Sequence, residues 1–482
     1  MKLLQTEDQH IITALGDRAF VTLLSSSKFG QGNIYELVPI TKTDDVQTTS
    51  TDDGKEKVEQ QPQQKKDKEI QAVTSKFSKN DDMLLLCAVS RYDKSLSVYS
   101  ILLSPDDVVD EKMTLKEVGP NLVHRTKKRS SSLVFSHVSS GCSSKNNEPV
   151  DVIIAGDLAG DVITFPATGK VENLSRHLLG HTASTLTSVK VVQSANDDKV
   201  MKILTSDRDE KVRISSYPDA FNVEGYLLGH TAYISSMDVI PSNDWCVTCS
   251  GDGTVKLWDY EKCIEIASID AIPRDSIKVA EIKNNESDEK NEIEKTRENE
   301  KLRGVLVPVG VSAKGNNLAV VYDGIDDIHI FIIVANEGNN NNKNQISIQA
   351  NGKINCSEQP LAASYTSDGS LFVLMKEPSF IRHYSSKLNE SGNIVFEEIE
   401  SCSISLAIRD IGTKSNMTMP LSVLEMDETT GKVKLEKANQ EGNKGFVKHE
   451  PWLNVDRVEI AKEAGRRRKR RLLERQKCNG KK

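Results

Sequence analysis

Between Leu178 and Tyr260 one pattern is written twice, as LLGHTASTLTSVKVV…KILTSDRDEKVRIS and then LLGHTAYISSMDVI…WCVTCSGDGTVKLWDY. Each copy opens on Gly-His, runs through an alternating apolar strand, and closes on a tight polar turn flanked by strands. Alternation of this kind specifies half-buried strands rather than helices. A tandem repeat of such strands narrows the folds open to the chain to those built from identical antiparallel units.

The second copy ends in Trp258-Asp259, and with its opening Gly-His it resembles a WD-repeat propeller blade. Thr248 sits four residues before the turn residue Asp252, Trp258 six after it, and His230 lies in the loop before the first strand. The resemblance implies that His230, Thr248, Asp252 and Trp258 form a hydrogen-bonded chain tying strands together, which is structural chemistry and not catalysis. At about 40 to 45 residues per blade, the 482 residues leave room for roughly seven blades plus insertions. The expected fold is therefore all-β, one seven-bladed WD-repeat β-propeller over residues 1–460, with a basic tail at 461–482. Ring closure would remove the exposed strand edges of an open array.

The first copy aligns with the second without a gap around the turn. Asp209 then replaces Asp252, Thr205 replaces Thr248, His181 replaces His230, and Ser215 stands in the place of Trp258. This copy has lost one anchor, and Arg208, Glu210 and Lys211 replace the turn residues Gly251, Gly253 and Thr254. Short glycine turns reverse a chain easily; a turn holding Asp207, Arg208, Asp209, Glu210 and Lys211, followed by Arg213, gives up that ease for a charged surface.

Strand-like pieces recur along the chain. They lie within residues 11–40, at 83–90 and 95–102, over 132–166, over 305–334 and 361–386, and in the later segments IVFEEIE, SISLAIRD and PLSVLEMD. One of these last strands is expected to close the ring against the N-terminal blade. Residues 41–80, rich in Gln, Lys, Asp and Thr, and residues 281–303, with eight acidic and six basic side chains, read as disordered insertions. The Asn-rich stretch 336–345 reads as a third.

Lys127, Lys128 and Arg129 precede a strand, and are open to two readings: a solvated loop, or a grip on RNA phosphate. The tail from Ala461 to Lys482 carries eleven Lys or Arg against two Glu, a net +9, so the rest of the −7 chain holds −16. Within the tail Arg466, Arg467, Arg468, Lys469, Arg470 and Arg471 run unbroken; a nuclear import signal stands first among their readings, ahead of an RNA contact or a solvated tail. Eight scattered cysteines fit a reduced, intracellular protein. Cys246 and Cys249 do not read as a metal site, because no second pair accompanies them and an odd separation on a strand turns the thiols to opposite faces. No apolar run is long enough to cross a bilayer, so no membrane partner is expected.

The words LLGH…ILTSDRDEKVRISSYPDAF…LLGH are more specific than a WD repeat. With DVIIAGDLAGDVITF and the late PWLNV they resemble the non-catalytic WD-repeat subunit of the tRNA (guanine-N7)-methyltransferase. The similarity is clear over residues 83–260 and returns at the tail; the chain departs from the family in its long insertions and in the Arg466–Arg471 run. The resemblance implies a heterodimer with a catalytic subunit that binds S-adenosylmethionine, so that this chain needs no cofactor and acts on tRNA through the complex. It also implies partner binding by Arg208, Asp209, Glu210 and Lys211, with Arg213 at the family's basic contact position; a nuclear location is expected from the Arg466–Arg471 run alone.

Two other classes remain. A generic WD scaffold, such as a ubiquitin-ligase substrate adaptor or a chromatin adaptor, has the same fold but no reason to carry SDRDEKVR. An enzyme would need a phosphate loop, a nucleophile elbow or a metal cluster, and none is written here.

Overall fold

The computed structural model describes residues 3–39, 68–272, 305–399 and 403–414, with short interruptions, and the strands Leu424–Asp427 and Lys432–Leu435. Short apolar segments bounded by Gly, Asp, Asn and Ser form antiparallel strands that assemble into seven four-stranded blades. Blade 1 comprises Leu4–Thr6, His10–Leu15, Arg18–Leu23 and Ile34–Leu37. Blade 2 comprises Ile70–Phe77, Leu84–Arg91, Ser95–Leu102 and Leu122–Arg125. Blade 3 follows with Ser130–Ser139, Pro149–Asp157, Asp161–Pro166 and Arg176–Gly180. The two repeat copies become blade 4 (Leu186–Gln193, Met201–Asp207, Lys211–Tyr217, Val223–Leu228) and blade 5 (Ile234–Ile240, Trp245–Ser250, Val255–Asp259, Ile264–Ile269). Blades 6 (Pro308–Lys314, Asn317–Tyr322, Asp327–Asn336, Gln345–Asn355) and 7 (Pro360–Tyr365, Leu371–Met375, Ile381–Leu388, Ile394–Glu398) complete the ring.

The first strands of blades 1 and 3–7 line a central space of about 440 Å³, into which hydroxyl residues such as Thr6, Thr187, Ser235, Ser312 and Ser364 are gathered. Alternation sends the other side chains into layers between blades. Leu204, Val212, Ile214 and Leu227 pack against Trp258 and Met237 between blades 4 and 5, and Ile203 and Tyr217 pack against Ile154 and Leu179 between blades 3 and 4. Each large side chain so buried contributes about 1.5–3 kcal/mol.

The expected disorder over 41–80 is corrected at its end. Ile70–Phe77 is the first strand of blade 2, with Ile70, Ala72 and Val73 fully buried; the polar composition around it masks these few apolar residues. Residues 41–67, 281–303, 337–344, the PWLNV segment and the whole tail, with Arg466–Arg471, lie outside the described residues. Asn336 and Gln345, the ends assigned to the third insertion, are paired strand termini of blade 6.

SISLAIRD is not a strand. It opens the helix α1 (Ser403–Lys414), because Ile404, Ile408 and Ile411 recur at helical spacing and form one face. That face packs with Leu4, Ile11 and Phe20 of blade 1 and with Phe372, Leu374 and Ile381 of blade 7. The seam between first and last blades is thus closed by side-chain packing of a helix, where a late strand was expected; every strand of blade 7 comes from its own stretch of chain. A second departure from simple repetition links blades 1 and 2. After the third strand of blade 2 the chain crosses to lay Leu115–Val118 parallel to Ile34–Leu37, as a fifth strand of blade 1, before returning to finish blade 2.

The chain divides into two compact units, of which the first, Met1–Asp270 and Val307–Ser422, holds the seven blades and α1. In the second unit, Leu424–Asp427 and Lys432–Leu435 pair as an antiparallel hairpin. No described helix is long and apolar enough to cross a membrane.

Candidate partner interface on blade 4

Blade 5 carries the four-residue chain that its sequence specifies. Trp258 Nε1 donates to Thr248 Oγ1 at 2.8 Å, Thr248 Oγ1 lies 2.7 Å from His230 Nε2, and His230 Nδ1 is 3.1 Å from Asp252 Oδ2. A carboxylate only accepts, so Nδ1 holds the proton and Nε2 accepts from Thr248. Burial opposes the charge on Asp252, but His230 and the Thr254 hydroxyl outweigh it and hold the carboxyl well below the usual range.

Blade 4 keeps the histidine and threonine but not the predicted aspartate. His181 Nε2 lies 2.8 Å from Thr205 Oγ1, and Nδ1 lies 2.7 Å from Oδ2 of Asp207, at the end of the strand. The gapless alignment assigned this place to Asp209; the structure moves it two residues back. The cause is the acceptor that each strand end supplies: blade 5 has Ser250 where blade 4 has the carboxylate of Asp207. That carboxylate also takes the amide N–H of Asp209 at 2.9 Å and the Lys211 amine at 3.0 Å. Burial again opposes its charge, and the bonds from His181 and Lys211 overcome it, so the Asp207 carboxyl lies below the ordinary range. Blade 3 held the signal for this: Asp157, in the matching place, accepts the amides of Ala159 and Asp161.

Arg213 also has an internal role. Its Nε donates to Ser215 Oγ at 2.9 Å, and its terminal nitrogens donate to the carbonyls of Ala220 at 2.9 Å and of Gly180, in blade 3, at 3.4 Å. The guanidinium therefore braces the side of the blade that lacks a tryptophan, with fully buried Ser215 in the tryptophan's position. Of the five residues assigned to partner binding, Lys211 and Arg213 are tied into the blade, while Arg208, Asp209 and Glu210 form the outer turn.

The side chains of Arg208 and Asp209 are 46% and 47% exposed, with Arg208 Nε 3.9 Å from Asp209 Oδ1. Glu210 adopts φ 74°, in the place of Gly253 (φ 86°). A non-glycine residue there costs about 1–2 kcal/mol. Burial raises its carboxyl pKa, and the carboxylates of Asp209 and Asp252 add to that rise. The turn thus shows one cation beside a crowded acidic group.

Sequence reasoning missed the apolar margin of this turn. Leu228 pairs with Lys211 and Tyr226 with Arg213 across the outer hairpin, which places all four on one face by the two-residue period. Leu228 is 67% exposed and Tyr226 is exposed beside it, while Val223 and Phe221 are exposed at the far end of the outer strand. Apolar and aromatic side chains next to an oriented charge cluster are the usual anatomy of a protein–protein interface. The exposed positions in the outer strand at Val223, Tyr226 and Leu228 were the available signal, concealed because outer strands of a repeat vary in polarity.

The predicted basic triplet lies elsewhere on the ring. Lys127 and Lys128 are exposed in the link between blades 2 and 3, and the Arg129 guanidinium lies 4.2 Å from the centre of the Tyr92 ring. Cys246 and Cys249 are fully buried, and burial pushes both thiols far up. That makes them packing residues.

Residues 168–361 match the family described as the tRNA methyltransferase TRM82 WD40 domain. The chain is 32% identical over 175 residues to the tRNA (guanine-N(7)-)-methyltransferase non-catalytic subunit TRM82 of Lodderomyces elongisporus, covering 36% of this chain and 43% of that protein. It is 36% identical over 122 residues to the corresponding subunit wuho of Anopheles gambiae, covering 25% of this chain and 30% of that one. With the human subunit WDR4 it shares 34% over 123 residues, 24% of this chain and 28% of that one. The chain therefore spans less than half the length of these curated relatives. The WD40 propeller domain of Doa1 aligns with a TM-score of 0.43 at 14% identity, over 81% of this chain and 94% of that one; the propeller assignment rests on the strand pairing instead. The matched stretch contains all of blades 4, 5 and 6, and over it the chain is similar to the WD40 domain of the TRM82 family of non-catalytic methyltransferase subunits.

Proposed function

We propose that this chain is the non-catalytic subunit of a tRNA (guanine-N7)-methyltransferase. In this reading it forms a heterodimer with an S-adenosylmethionine-dependent catalytic subunit that makes N7-methylguanosine in the variable loop of tRNA. The observation that carries it is the outer turn of blade 4. An Arg208–Asp209–Glu210 surface, bordered by Leu228 and Tyr226, sits in the stretch similar to the family. Its structural anchor has been moved back to Asp207, which leaves the turn available to a partner. Charges of this kind orient a partner and select it; the neighbouring apolar side chains supply contact area.

The propeller does no chemistry in this reading. It binds and stabilises the catalytic subunit, and the cofactor belongs to that subunit. The nuclear location rests on Arg466–Arg471 as an import signal; deleting this run should leave the protein in the cytoplasm, and a retained nuclear signal would refute it. The test of the main reading is affinity purification of this chain from its own cells, followed by assay of 7-methylguanosine formation in tRNA. Activity that needs both this chain and a co-eluting methyltransferase supports the proposal. An eluate without a methyltransferase returns the chain to the WD scaffolds.

A further inference from the structure

The outer strand of blade 4 does not pair regularly with the third. Lys211 faces Leu228 and Arg213 faces Tyr226, but Ser215 faces Val223, which leaves Glu224 as the extra residue of a β-bulge. Residues opposite one another share a side of the sheet, and so do residues two apart along a strand. The bulge therefore turns Val223 to the side of Tyr226 and Leu228; in a regular ladder it would stand on the other.

Blade 5 bulges at the matching place, between Leu257 and Trp258, and its extra residue is Ile266. Blade 3 bulges two residues earlier, with buried Leu178. Of these three, blade 4 alone puts a charge in the bulge, and a second charge answers it. Among the described residues Lys202 is the one buried lysine, on the second strand where blade 5 has Trp245. Its Nζ lies 2.9 Å from Glu224 Oε2 and donates at 2.6 Å to Glu261 Oε2, in the turn before the outer strand of blade 5. Glu224 Oε1 accepts from the Ser216 hydroxyl at 2.8 Å.

Burial opposes the charge on Lys202, but Glu261 and Glu224 outweigh it and hold the amine above its ordinary value. Gly225, beside the bulge, abuts the same turn of blade 5, where a Cβ would collide with Cys263 Sγ. An ion group taken out of water adds little net stability; its best-attested use is to fix register. Here the register decides which way Val223 faces.

The resulting strip is continuous with the charged turn. Leu228, Tyr226 and Val223 are 67%, 40% and 43% exposed, and Phe221 extends it beyond the strand. From Leu228 to Val223 it runs about 17 Å at the usual strand rise, the length of about three turns of an apolar helix face.

We propose that Lys202 is a positioning residue for the methyltransferase interface: through Glu224 and Glu261 it fixes the bulge that sets Val223 beside Tyr226 and Leu228, so that the catalytic subunit lies along the whole outer strand of blade 4. This rests on the reading that the Arg208–Glu210 turn receives that subunit, and continuity with the turn names the occupant of the strip.

The experiment measures the affinity of the full chain for its co-purifying methyltransferase, the unfolding midpoint, and amide hydrogen exchange over residues 223–228. Lys202→Met should bind about tenfold more weakly and exchange faster around Glu224. Adding Glu224→Ile makes both places apolar, as in blade 5, and should restore affinity to within about twofold. Val223→Asp, with the ion group intact, should weaken binding about tenfold with the midpoint unmoved. Unchanged affinity in Lys202→Met or in Val223→Asp overturns the proposal. So does a double variant that folds but does not regain binding, for then the charges touch the partner themselves. Should Lys202→Met fail to fold, the double variant and Val223→Asp still decide. If no methyltransferase accompanies even the wild-type chain, the functional reading fails; exchange that rises in Lys202→Met and falls again with Glu224→Ile still reads the hold on the bulge.

Discussion

In blade 5 the His230 ring is anchored to Asp252, in the turn; in blade 4 the His181 ring is anchored to Asp207, at the end of the strand. Both arrangements bond a buried imidazole on its two sides, so both satisfy the loop that enters the blade. They differ in what the turn is free to do. Asp252 is engaged and its neighbours are glycines, whereas Arg208 and Asp209 stand in solvent because the residue before them has taken over the anchor. Blade 4 compensates for its missing tryptophan with Arg213 and Ser215, polar groups that fill less volume than an indole. Relocating one carboxylate by two residues thus turns a structural hairpin into a displayed one.

The sharpest break of this comparison is at the tryptophan. Trp258→Ala should destabilise the propeller by about 3–5 kcal/mol, since it removes a buried indole and a hydrogen bond. Ser215→Ala, at the matching place, should cost about 1 kcal/mol. Denaturant unfolding of the two variants reads the difference, and equal losses would mean that the blades are equivalent after all. Asp207→Ala should cost about 3 kcal/mol by leaving His181 and Lys211 without their acceptor, while Asp209→Ala stays within about 0.5 kcal/mol. The reverse order would restore the alignment-based assignment.

Arg213→Glu should lose both stability, by about 1–3 kcal/mol, and partner binding. Arg208→Glu and Leu228→Asp should weaken co-purification of the methyltransferase about tenfold or more with the unfolding midpoint unmoved. If Arg213→Glu alone abolishes binding while the fold stays intact, the inward assignment of Arg213 is wrong.

Acid should act on both anchors. The carboxyls of Asp207 and Asp252 lie below their ordinary value, so their stabilisation is present above the unfolded value of about 4 and is lost as pH falls through the folded one. Asp252→Asn should flatten the acid limb of a stability–pH curve; an unaltered limb would count against the anchor. Smallest is Glu210→Gly. Removing a side chain at φ 74° should leave stability unchanged or raised by about 1 kcal/mol or less, with weaker partner binding as the second readout.

Blades 4 and 5 were legible because Gly-His, alternating strands and a polar turn recur there at nearly fixed spacing, and blade 3 because its apolar strands flank a polar turn. Ile70–Phe77 was not, since its few apolar residues, Ile70, Ala72, Val73 and Phe77, are lost within a polar stretch, and a composition average cannot resolve a single strand. SISLAIRD supports either period until something on its far side is known; Leu4 and Phe372, hundreds of residues apart, decide for the helix. Asp207 was misassigned because alignment ranks sequence positions, whereas His181 responds to distance. The roles of Arg208 to Arg213 were readable as a group but not individually. Whether a cation points into a blade or away from it depends on carbonyls such as those of Gly180 and Ala220, which no side-chain pattern encodes.

The strand borrowed by blade 1 sets an order for synthesis. Blades 3 to 7 are each made of consecutive strands and can be assembled as they leave the ribosome. Blade 1 is unfinished until residue 118 has emerged, by which time three strands of blade 2 already exist. The first step of vectorial folding is therefore a double one with distant contacts, slower than the steps that follow, and the nascent chain exposes the Ile34–Leu37 edge throughout that interval.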